Sequence, residues 1–126
     1  MHEKLMFKEE CFAIQGAVFE VYKEMGSGFL EAVYQECLER ELAVRGVPFE
    51  RQPLLALTFK GLHLSQTYRP DLVCFGTILL ELKAAKALSP EHRAQVLHYL
   101  KATGLRLGLL VNFGSHPRAQ IERIIL

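Results

Sequence analysis

The chain has 126 residues, half of them apolar, with 15 basic against 14 acidic side chains. That length lets roughly two-thirds of the unfolded surface be buried, which suits one domain over residues 1–126 and leaves no room for a second. Near-neutral charge excludes a protein whose whole surface attracts phosphate; with no run of the roughly 20 apolar residues that span a bilayer and no leader segment, a cytoplasmic location is expected.

Residues 5–25 place Phe7, Cys11, Ile14, Val18, Tyr22 and Met25 at helical steps, which predicts an amphipathic helix ended by Gly26-Ser27-Gly28. Ser27 is the expected cap of a second helix to about Arg45, with Leu30, Val33, Cys37, Leu38 and Leu42 inward and Gly46 as its stop. Alternation predicts strands over Phe49–Phe59 and Leu62–Phe75, joined at Lys60-Gly61, and a third over Ile78–Lys83 after Phe75-Gly76-Thr77. Ser89-Pro90-Glu91 opens a third helix, with Val96, Leu97 and Leu100 inward, which Gly104 closes. Leu107–Phe113 reads as a buried strand and Ile121–Leu126 as an edge strand. The fold class is therefore α/β: a three-stranded antiparallel meander, a helical crossover, and a mixed sheet flanked by helices. Cys11, Cys37 and Cys74 are far apart without a CxxC pair, so no disulfide, zinc site or iron–sulfur cluster is expected.

The chemistry concentrates where the second and third strands meet. With a three-residue loop, Cys74 pairs with Ile78, and counting back along an unbulged ladder sets Asp71 opposite Glu81. Lys83, two residues on, shares their face. Unpaired charges are costly in an apolar sheet, so two carboxylates and an amine there point to a divalent cation and a charged substrate. The alternative is a surface hairpin whose acids pair with the lysine.

Pro70-Asp71, Glu81-Leu82-Lys83 and a later helix carrying Gln95 together resemble the PD-(D/E)XK nuclease superfamily. Gly28-Phe29-Leu30-Glu31-Ala32-Val33-Tyr34 resembles the signature of its GxxExxY family, and Gln95 with Tyr99 matches a QxxxY element of related members. The resemblance implies a restriction-endonuclease-like core with an extra N-terminal helix. It also implies a nuclease cutting nucleic acid, DNA ahead of RNA, with magnesium as cofactor and manganese as its substitute. Asp71, Glu81, the Leu82 backbone carbonyl and Glu31 would be the metal ligands; Lys83 would position the attacking water, and Gln95 would bond Lys83 or a phosphate.

Each of these residues has a plainer reading beside that one. Glu31 is also an acid favoured in a first helical turn. Tyr34 and Tyr99 are substrate contacts or packing residues with satisfied hydroxyls. Lys60, Arg69, Lys86, Arg93 and Lys101 line a phosphate groove or form a solvated face, with Arg69 and Lys86 the nearest candidates. His92 and His98 read as surface residues, since an oxygen-ligand site needs no imidazole. One site cuts one strand, so a double-strand cut would call for a homodimer. A non-catalytic nucleic-acid- or protein-binding module on the same fold, or a hydrolase of another phosphate ester, are the rival functions.

Overall fold

The computed structural model describes residues 7–126, so residues 5 and 6 of the first expected helix lie outside the described residues. Helices α1 (Lys8–Met25) and α2 (Glu31–Val44) precede strands β1 (Phe49–Arg51), β2 (Leu55–Phe59), β3 (Leu62–Tyr68), β4 (Leu72–Cys74) and β5 (Ile78–Lys83). Helix α3 (Pro90–Thr103) then leads to β6 (Leu107–Asn112) and β7 (Gln120–Ile125). Five strands form one mixed sheet in the order β1-β4-β5-β6-β7, with β5 and β6 parallel across the α3 crossover. No helix among the described residues is long and apolar enough to cross a membrane.

The sheet is covered on both faces. Ile14 and Val18 of α1 and Leu38 and Leu42 of α2 pack on Leu80, Leu82, Leu109 and Val111. Val96 and Leu100 of α3 pack on Leu79 and Leu110 on the other face. Helix α3 begins as expected: Ser89 Oγ accepts from His92 N, and His92 Nδ1 accepts from Ser89 N. His92 is thus a cap partner. Leu97 lies outside the α3 stripe and is exposed.

The first two strands depart from the expected meander. β1 pairs with β4 and β2 with β3, in separate sheets, yet Arg51↔Leu72 and Leu55↔Tyr68 keep one register. Carried across the gap, that register sets Pro53 against Pro70. Neither proline has an N–H to give a ladder, and Gln52 takes φ 45° beside them. The long hairpin therefore breaks there. Its near half joins the main sheet, and its far half becomes a ribbon lying along α3.

Helix α2 starts later and is rotated from the expected stripe. Its N-cap position is Leu30, with no side-chain cap, in place of Ser27. Tyr34 closes the preceding loop instead, its hydroxyl donating to the Gly26 carbonyl and accepting from Phe29 N. Gly28 sits at φ 114°, which favours glycine. With Tyr34 fully buried and stacked on Phe113, Leu30 is left exposed and Val33 and Cys37 only part-buried.

Candidate active site

Strand β4 pairs with β5 through Cys74↔Ile78, Val73↔Leu79 and Leu72↔Leu80, the register expected from the turn. One step further the ladder stops and side chains take over. Asp71 Oδ2 accepts from Leu82 N at 2.7 Å, and Glu81 Oε1 accepts from Asp71 N at 3.1 Å. A second donor reaches the same Glu81 oxygen, the Tyr68 hydroxyl at 2.7 Å. Asp71 Oδ1 and Glu81 Oε2 have no hydrogen bond among the described residues.

The next ladder position explains why the site lies here. The same register would set Pro70 against Leu82. Because Lys83 O accepts from Phe113 N on the β6 side, the alternating backbone turns the Leu82 carbonyl toward β4. Proline offers that carbonyl no donor. Asp71 meanwhile supplies the acceptor for Leu82 N–H that a strand neighbour would otherwise provide.

Electrostatics mark the pair as strained for lack of positive charge. Burial, and then the charge of Asp71, pushes the Glu81 carboxyl up to about 7. Burial also raises Asp71, opposed by the Leu82 N–H, with Glu31 adding repulsion and Lys83 easing it. Burial, followed by the charge of Glu81, raises the Tyr68 phenol. Lys83 makes no ion pair within 4 Å among the described residues, so its charge acts across a gap. Two carboxylates with uncommitted oxygens and a backbone carbonyl without its strand donor are a donor set that fits a hard divalent cation.

The family match is consistent with this geometry. The model of the PD-(D/E)XK nuclease superfamily matches residues 8–124. The chain belongs to that superfamily. Its fold is the restriction-endonuclease-like α/β fold of PD-(D/E)XK nucleases, a group of phosphodiesterases that generally use divalent metals. Among solved structures, one described as "Crystal structure of SSO0001" matches at 20% identity and a TM-score of 0.57, covering 75% of this chain. The chain spans 48% of that protein's length, and the likeness concerns the fold alone. No curated protein matches the sequence.

In this PD-(D/E)XK chain the remaining expected residues divide. Glu31 is exposed and lines a groove of about 630 Å³ with Gln35, Glu36, Glu39, Arg51 and Asp71. No three His, Cys, Asp or Glu side chains among the described residues form a ready metal cage, and Glu31 acts on Asp71 through its charge. Gln35 is buried and donates to the Asp71 carbonyl at 2.8 Å, anchoring the strand end to α2. Tyr34 faces the core, which fits its packing reading. Gln95 is exposed and bonds neither Lys83 nor any other described residue.

The basic residues do not converge as one groove. Arg93 is held by Glu122 of β7 through two hydrogen bonds of 2.6 and 2.7 Å. Lys60 lies over the Phe59 ring at the ribbon tip, and Lys101 lines a separate cavity between the ribbon and the end of α3. Arg69 is exposed beside the proline break, bonded to the Gln52 carbonyl, and Lys86 is exposed in the loop after β5. That loop is held by Asn112, which sequence reading missed. Its buried amide bonds both Ala85 N and Ala85 O, and Gly114 lies so close that a Cβ would come within 2.2 Å of the Ala85 carbonyl. Tyr68 was also missed; its one sequence signal is a tyrosine set just before Arg69-Pro70-Asp71.

Proposed function

We propose that the chain is a metal-dependent nuclease of the GxxExxY family, hydrolysing phosphodiester bonds in nucleic acid, DNA ahead of RNA. The observation that carries this is the partly dehydrated Asp71–Glu81 pair, each carboxylate with one oxygen uncommitted among the described residues, beside Lys83, which makes no ion pair among them. A resident magnesium ion, or manganese in its place, would relieve charge on the scissile phosphate and acidify a bound water. Asp71, Glu81 and the Leu82 carbonyl would hold it. Lys83 orients the attacking water and adds a point charge toward the phosphate. Glu31, across the groove, acts as a water holder rather than an inner ligand.

The groove on the α2 side of Asp71 is bordered by Glu31, Glu36, Glu39 and Arg51, with Glu36 paired to Arg40 and Glu39 to Arg51, so it offers a phosphate chain no free cation among these residues. The polymer accordingly approaches from the side of Lys83, with Lys86 and Gln95 as outer contacts and Arg69, held on the Gln52 carbonyl, reaching it from the proline break. A single domain working in the cytoplasm, paired as a homodimer where both strands are cut, completes the reading. Three free thiols suit that compartment.

The test is incubation of single- and double-stranded DNA and RNA with the protein in magnesium, manganese or chelator. Cleavage with either metal, lost on chelation, is the expected result. No cleavage with any metal, together with no metal uptake by calorimetry, would overturn the reading. Nucleic-acid binding that survives chelation without cutting would instead favour a non-catalytic module.

The proline break makes a second prediction. Pro70→Ala restores an N–H opposite the Leu82 carbonyl and lets the ladder extend over a ligand position. Magnesium affinity is expected to fall about ten-fold or more, the scale on which groups that orient metal ligands act. Calorimetry on the variant and the wild type checks this; equal affinities would remove the Leu82 carbonyl from the ligand set.

A further inference from the structure

We propose that Tyr68 is the positioning residue of the Glu81 carboxylate, and that Tyr99 serves the site only by holding Tyr68. The inference rests on the nuclease reading and assigns a task that none of the recognised motif residues performs. Tyr68 ends β3 immediately before the proline break, and its hydroxyl is 2.7 Å from Glu81 Oε1. Its ring lies flat on Tyr99 of α3, with centroids 3.5 Å apart and planes within 8°. Tyr99 is thereby occupied on that face by a neighbour of the same chain.

The physical need is clear from the side chain involved. Glutamate has three rotatable bonds, and leaving them free imposes an entropic cost on any ligand that must order them. Two donors on Oε1, from Tyr68 and from Asp71 N, fix the carboxylate in advance and leave Oε2 without a donor. Preorganisation of this kind raises affinity by removing the ordering cost from the binding step. The Tyr68 hydroxyl is itself held in place because α3 holds the ring beneath it. The ribbon and α3 are therefore parts of the site, although neither carries a ligand.

Tyr68→Phe keeps the ring stack and removes only the hydroxyl. Its magnesium Kd, measured by calorimetry, is expected to rise about 10- to 100-fold, with a melting temperature close to the wild type's. Raising magnesium to saturation is expected to recover cleavage to within a few-fold, with KM for nucleic acid unchanged. Tyr99→Leu is expected to weaken magnesium binding too, and the double variant to lose no more than Tyr68→Phe alone, because the two residues act in series.

An unchanged magnesium Kd in Tyr68→Phe, or a raised KM for nucleic acid that saturating metal does not relieve, would overturn the positioning role. Additive losses in the double variant would overturn the series and give Tyr99 a contact of its own. If the wild type takes up no magnesium at all, the nuclease reading falls and this inference falls with it. If only the variants' expected loss is missing, the nuclease reading stands.

Discussion

Asp71→Asn is expected to lower metal-supported cleavage by at least about a thousand-fold, the loss of roughly 4 kcal/mol of transition-state stabilisation. The substitution is chosen because the amide oxygen can still accept the Leu82 N–H, which Asp71 Oδ2 holds at 2.7 Å. The strand end keeps its cap and the loss is confined to charge. The burial and repulsion that raise the Asp71 carboxyl are relieved in the variant, so its metal-free melting temperature should not fall. Cleavage rates at saturating magnesium, beside thermal melts, test the prediction. A rate within ten-fold of the wild type would remove Asp71 from the chemistry.

The second large effect is on stability. In the folded chain Glu81 keeps its proton up to about pH 7, against an ordinary value of 4.5. Between those values the native state holds more protons than the unfolded state, so stability falls as pH rises. The contribution is fully present below about 4.5 and is lost through about 7. Its size is about 3 kcal/mol, from 1.36 kcal/mol per pKa unit. Glu81→Gln carries no such charge. In chelator, urea unfolding should place the variant above the wild type by about 3 kcal/mol more at pH 8 than at pH 4.5. Magnesium at pH 8 should narrow the gap by binding the native wild type. A difference between the two proteins that does not vary with pH would show that the Glu81 charge is not held out of water.

Much of this was legible because local rules act there without competition. Phe75-Gly76-Thr77 set the β4–β5 register, and that register brought Asp71 and Glu81 together. Ser89-Pro90 and Gly104 bounded α3 by backbone chemistry that tertiary packing had no reason to overrule. The failures have equally local causes. Pro53 and Pro70 each look tolerable in a strand when read singly, and only their facing across one register breaks the hairpin. Ser27 looked like a cap, but Tyr34 had already closed that loop, and seating its ring on Phe113 turned the inward stripe of α2. Arg93 seemed available for phosphate because nothing in sequence announces its partner Glu122, 29 residues away. Tyr68 was hidden for a related reason: alternation puts it on the face of Leu62 and Leu64, but that face is exposed along the strand and only its last residue turns inward.

The facing prolines also bear on how this chain can vary. The placement of Asp71 beside Glu81 is set by the short ladder from Leu72↔Leu80 to Cys74↔Ile78, and the ribbon beyond the prolines contributes only Tyr68 at its base. The ribbon already shifts register between Ala56 and Thr58 without disturbing that ladder. Changes of length at the Lys60-Gly61 tip are therefore insulated from the site, whereas a one-residue change beside the Leu55↔Tyr68 pair would turn Tyr68 away from Glu81. The tip of the ribbon is thus the part of the hairpin that can change length while the constellation at its root keeps its spacing.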